Sequence, residues 1–197
     1  MLLLLVGLAL FFLIHLVPTA PEIRQGLVER YSEGPYKLVF SIVALIGMVI
    51  IVMGYGKLQV NPGKNPIIWD PPTWMRHLNL LLMIPAMILL VAAYVPSRIR
   101  TAVKHPMLIA IKLWALGHLL ANGDLASMVL FGSFLAYAVY DRISVKARSA
   151  LGPLGSAAAA SPVNDVMVIV LGLGAYAVVV IWGHPYLIGV PVMPVGN

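Results

Sequence analysis

The chain has no cysteine among its 197 residues, which excludes disulfides, thiolate zinc sites, iron–sulfur clusters and covalently attached c-type haem. Any metal centre has to rest mainly on histidine, of which there are five. Charge is scarce too. Charged residues make up 10% of the chain and hydrophobic ones 61%, whereas soluble domains typically hold about 45–50% apolar residues. The few acidic residues are Glu22, Glu29, Glu33, Asp70, Asp124, Asp141 and Asp165, and none falls deep inside an apolar run. That argues against a carboxylate proton relay or a carboxylate-rich metal cage. With no broken helix pair and no internal repeat of fixed period, it also argues against a transporter. Lys and Arg outnumber Asp and Glu 13 to 7, an excess that in so apolar a chain records orientation in a membrane and not a nucleic-acid partner.

What the sequence does have is apolar runs of membrane-crossing length. They predict an all-α, polytopic integral membrane helix bundle of about six spans in the lipid bilayer, near residues 2–18, 36–55, 74–95, 106–121, 125–140 and 163–182. The first run has no Lys or Arg before it, and Pro21 follows its only small-residue cleavage candidate, so a retained helix is expected and not a signal peptide. Residues 18–37, with Arg24, Arg30 and Lys37, read as an amphipathic surface segment. Gly47, Gly54 and Gly56 permit close helix approach in the second span. Trp69 and Trp74 mark an interfacial loop, and Pro85 should kink the third span. Residues 142–162 read as a basic, then small-residue cytoplasmic linker.

An even number of spans puts both termini on one side. The first, third and fifth loops carry three basic residues each, the second loop three, and the fourth none. Nine against three places both termini outside the cytoplasm, hence in the periplasm of a bacterial inner membrane.

The stretch from Lys104 to Ser127 carries most of the candidate chemistry. Its helix opens at Pro106 and closes at Asn122-Gly123, which favour a left-handed stop. Trp114, His118 and Asn122 are four apart and form one polar and aromatic stripe. Lys112 lies mid-helix among apolar neighbours, so its ammonium must snorkel or pair, either with a haem propionate or with a lipid phosphate. His77 and His184 read as interfacial side chains met by water, headgroups or carbonyls. His118 and His15 sit among apolar residues, and two buried neutral imidazoles on different helices are what axial ligation of a b-type haem requires. Depth complicates that pair, because His118 lies about 18 Å along its helix from Pro106. His105 matches the depth of His15 better.

His15 at the end of the first helix, Lys104-His105-Pro106, Trp114-x-x-x-His118, Leu119 to Asp124 and Phe131-Gly132 together resemble the NnrU family over nearly the whole chain. These are small polytopic membrane proteins associated with denitrification, in particular nitrite and nitric oxide reduction, and plant zeta-carotene isomerase is similar to them. That plant enzyme is a haem b isomerase, and the resemblance implies His15 and His118 as its ligands here. Where the plant enzyme offers a further histidine in the fifth helix this chain has Tyr137, which puts ligand exchange in doubt. The His-Pro element also resembles isoprenylcysteine-type methyltransferases, but Met107 to Ala110 follow it in place of a small Gly, and Asp141 is the only later acid near it.

The function expected on this reading is that of a membrane-embedded haem b binder, acting either as an isomerase or as a redox enzyme on an apolar small-molecule substrate. The alternative is a non-catalytic assembly or stability factor whose partner is a respiratory or denitrification enzyme.

Overall fold

The computed structural model describes residues 1–148, 161–188 and 192. Its regular elements are helices: α1 (Leu2–Leu16), α2 (Pro21–Tyr31), α3 (Glu33–Gln59), α4 (Thr73–Ala92), α5 (Arg98–Val103), α6 (Pro106–Ala121), α7 (Leu125–Ala147) and α8 (Pro162–Val178). Beyond Val178 the chain continues as a π-helical stretch, Val179–Ile188, with Pro185 inside it.

Five segments are long and apolar enough to cross a membrane, Leu2–Thr19, Glu33–Gln59, Thr73–Ala92, Leu125–Ala147 and Pro162–Tyr186. The chain is therefore an all-helical membrane protein. The expected fourth span, α6, is shorter, with 16 residues, about 24 Å of helix against a hydrocarbon core of about 30 Å. Pro106 and the Asn122-Gly123 turn fix both of its ends.

Several boundaries shift from the sequence reading. The surface segment forms α2, with Pro21 at its start, where a missing N–H costs nothing, and with Glu22 in its first turn and Arg30 in its last, as the helix dipole favours. Helix α4 runs on through Pro85. Helix α7 continues through residues 141 to 147, because Arg148 donates to Asp141 at 3.1 Å and to the Ser144 hydroxyl at 2.9 Å, tying down the last two turns. Only residues 149–160 of the expected linker lie outside the described residues.

The chain divides into two compact units. The first holds residues 1–70 and 122–133. In it α1 and α3 run antiparallel, and glycines set their spacing: a Cβ on Gly54 would sit 2.5 Å from the Leu4 nitrogen, one on Gly7 2.6 Å from the Ile51 nitrogen, and one on Gly47 2.9 Å from the Phe11 nitrogen. Positions 4, 7 and 11 thus face 54, 51 and 47 along one seam.

The second unit holds residues 71–121 and 134–197. Helix α4 packs on α6 and α8. Gly117 makes room for the Asn79 side-chain carbonyl, and a Cβ on Gly172 would sit 2.6 Å from Ile88 Cα. The start of α8 is clamped by Asp165, whose carboxylate accepts from Arg98 N at 2.7 Å and Arg98 Nε at 2.6 Å, while Asn164 Nδ2 donates to Pro96 O at 2.6 Å.

Candidate functional site

The second unit carries the α6 residues. Pro106 starts the helix directly after a strained corner: Lys104 has φ 64° and ψ −47°, and His105 N donates across it to Val103 O at 2.7 Å. This is a γ-turn with positive φ, an uncommon and strained conformation for a residue with a Cβ. His105 is half-buried beyond it. Burial holds its imidazole below the usual histidine value, helped by Arg142 and Lys104 and opposed by Asp141.

Three turns further on, His118 Nδ1 lies 2.8 Å from the Trp114 carbonyl oxygen. A carbonyl only accepts, so Nδ1 carries a proton, and the neutral ring has its lone pair on Nε2. The Trp114 ring centre is 5.4 Å from that of His118 and meets Phe134 edge-on at 5.4 Å and 89°. The stripe expected from the spacing of Trp114 and His118 is therefore present. Asn122, its third expected member, is half-buried and belongs to the first unit.

Beside His118 stands a residue that the sequence reading set aside as interfacial. The ring centre of His184 is 6.5 Å from that of His118, with the planes 19° apart. The reading missed it because Pro185 follows directly, and a proline normally marks a helix end. Here the π-helical stretch carries the chain past Val178 and through Pro185, so His184 stays on a helix in the same unit. Such π segments recur at functional sites.

His15 occupies the first unit. Its Nδ1 donates to Phe11 O at 2.6 Å, its ring stacks on Phe11 at 4.0 Å, and Phe40 meets it at 5.0 Å. Next to it lies a cavity of about 330 Å³ whose lining includes Ile14, Val17, Leu27, Tyr36 and Phe40. Lys112 is half-buried on α6 with Arg142 within electrostatic reach.

The Ala-Asn-Gly-Asp block has a structural task. Asp124 Oδ1 accepts from Asn65 Nδ2 at 2.7 Å, Ser127 N at 2.9 Å and Gln59 Nε2 at 3.2 Å, and Oδ2 accepts from Ser127 Oγ at 2.6 Å. Because the Ser127 proton is spent on Asp124, Tyr55 donates to Ser127 Oγ at 2.9 Å. Asn65 Oδ1 accepts from Ala126 N at 2.8 Å. Asp124 is thus the N-cap of α7 and also the knot that ties α7 to the end of α3. Burial pushes its carboxyl up, but the bonds from Ser127, Asn65 and Gln59 outweigh that and hold it below the ordinary value. Gly123 has no room for a Cβ against the Trp69 carbonyl.

Among the described residues no three or more His, Cys, Asp or Glu side chains gather as a metal cage. A lone ion wants about three or four protein donors; a porphyrin brings its own four nitrogens, and two imidazoles complete its coordination. No curated protein and no solved structure matches the chain. The family model described as NnrU protein matches residues 3–192.

Proposed function

The chain belongs to the NnrU family, and from that premise we propose that it is a membrane protein that binds b-type haem through His118 and His184. One observation carries the reading: the two ring centres are 6.5 Å apart with nearly parallel planes. Two imidazoles on one metal ion, each about 2 Å from it, have ring centres about 6 Å apart. The Trp114 carbonyl supports it by fixing the His118 proton on Nδ1, as outer-shell acceptors commonly do for ligating histidines. Trp114 and Phe134 supply an apolar wall beside the ring. Haem held by these residues would supply a one-electron iron couple or a Lewis acid. The residues of the chain orient the imidazoles, keep water from them and hold the His118 proton in place.

The link to nitric oxide and nitrite reduction, an isomerase or redox reaction on an apolar molecule, and an inner-membrane location with both termini periplasmic belong to the same proposal. They are supported by the family resemblance and by the distribution of Lys and Arg. The apolar cavity beside His15 suits a lipid-soluble substrate.

The test is haem per chain after purification in mild detergent from haem-replete cells. About one haem is expected in the wild type and in His15→Ala, and almost none in His118→Ala or His184→Ala, with helicity unchanged. Loss in His15→Ala and retention in His184→Ala would move the second ligand to His15, the partner that the resemblance implies. Wild-type protein without haem would refute the reading and leave the assembly-factor role.

A further inference from the structure

Tyr36, near the start of α3, carries a polar group that the fold does not use. The residue is half-buried, but its hydroxyl oxygen is buried and has no hydrogen-bond partner among the described residues. A hydroxyl left that way is costly, and folded proteins hold few of them.

The same residue lines the cavity of about 330 Å³ in the first unit. Three helical segments build that cavity, and each brings residues three or four apart: Ile14 and Val17 from the end of α1 and the turn after it, Leu27 and Tyr31 from α2, and Tyr36 and Phe40 from α3. Such spacing puts each pair on one face of its helix. The lining side chains are apolar except for two phenols. Tyr31 is 53% exposed and stands at the edge, so the Tyr36 hydroxyl is the buried polar group of the cavity.

Neighbouring contacts hold Tyr36 in place. The Arg24 guanidinium lies 5.7 Å over its ring and is anchored by Glu33 at 3.6 Å, which Lys37 meets at 3.0 Å. The Phe40 ring centre is 6.4 Å from that of Tyr36. A cation on the ring face draws electron density from the oxygen, so the hydroxyl is better placed to donate than to accept.

These features set the chemistry of an occupant. Its body is apolar, because almost every wall is. Its polar atom is an acceptor without a proton of its own, since a second donor would be orphaned among apolar side chains, and a carboxylate would be buried with no cation on the lining. A carbonyl oxygen meets both conditions. At the ~30 Å³ share of one water each, the cavity holds roughly ten non-hydrogen atoms, enough for a ring or two and too few for a whole phospholipid.

We infer that this cavity binds a lipid-soluble ring compound through one carbonyl oxygen, which accepts a hydrogen bond from Tyr36. The inference rests on the reading of the cavity as a site for an apolar substrate, and it needs no haem.

The test uses the full chain in mild detergent with two probes, 1-tetralone and 1-methyltetralin, which are alike in size and differ in a carbonyl oxygen against a methyl group. Binding is read by equilibrium dialysis against loaded micelles, and each affinity is taken relative to wild type, so that partitioning into detergent cancels. Tyr36→Phe should bind 1-tetralone about fivefold more weakly and 1-methyltetralin at least as tightly, which shows the cavity intact. Val39→Trp, which fills the cavity from α3, should lose both. Wild-type protein from haem-depleted cells should bind 1-tetralone as tightly as the haem-replete protein does. Absence of binding of either probe to the wild type would overturn the apolar reading of the cavity along with the inference. Equal effects of Tyr36→Phe on the two probes overturn the inference alone. So does full displacement of 1-tetralone by dioleoyl phosphatidylcholine, since the carbonyl held there would be a lipid ester. Loss of 1-tetralone binding without haem also overturns it, because the ketone would then sit on the iron.

Discussion

Asp124→Ala should be the most damaging substitution outside the α1–α3 seam. The side chain accepts four hydrogen bonds, from Asn65, Gln59 and twice from Ser127. Losing an N-cap costs about 1 kcal/mol. The bonds from Asn65 Nδ2 and Ser127 Oγ end on an ionised acceptor, where each is worth about 1.5–3 kcal/mol. Gln59 can turn to water, and bonds on one carboxylate are not additive, so we expect a loss of about 3–4 kcal/mol. Asp124→Asn retains the cap and one acceptor and should lose about half as much. The assay is reversible unfolding in mixed detergent micelles, read by circular dichroism. Acid adds a second signature. The folded carboxyl titrates below its unfolded value, so its contribution is complete above the ordinary carboxylate range and is lost as pH falls through the folded value. Asp124→Asn should remove that part of the acid sensitivity. An Asp124→Ala protein within about 1 kcal/mol of wild type would refute the knot as a stabilising element.

Four further outcomes follow from single positions. Gly54→Ala places a Cβ 2.5 Å from a backbone nitrogen of α1 and should cost about 2–3 kcal/mol in the same unfolding assay. Lys104→Gly relieves a φ of 64° and should stabilise by about 1 kcal/mol, as should Ser32→Gly, whose φ is 66° and ψ 166°. His105 is neutral more readily when folded than when unfolded, so the unfolded chain binds the extra proton and stability falls as pH drops through about 6.5. His105→Asn should flatten that part of the profile of unfolding midpoint against pH.

The spans were legible because each is an apolar run whose ends are marked by Pro, Gly or charge; Pro106 and Asn122-Gly123 gave both ends of α6. The pairing of Trp114 with His118 follows from helical period alone. Two features were not legible. His184 was hidden because Pro185 signals a stop, and only the π-helical continuation keeps it beside His118. The signal that could have found it is that His184-Pro185 directly follows an apolar span with no charged residue between them. The role of Asp124 in tying α7 to the end of α3 was hidden because the partners that make that tie, Asn65 and Gln59, lie 59 and 65 residues away, and local pattern carries no information on such separations. His15 and His118, paired in the sequence reading, belong to separate units.

The proposed site is one low-spin iron held by His118 and His184. Electron paramagnetic resonance of the oxidised, detergent-purified protein tests it most directly. A low-spin ferric haem signal of the bis-imidazole kind is expected in the wild type and in His15→Ala, and none in His118→Ala or His184→Ala. A high-spin signal in the wild type, or a bis-imidazole signal that survives in His184→Ala, would contradict it.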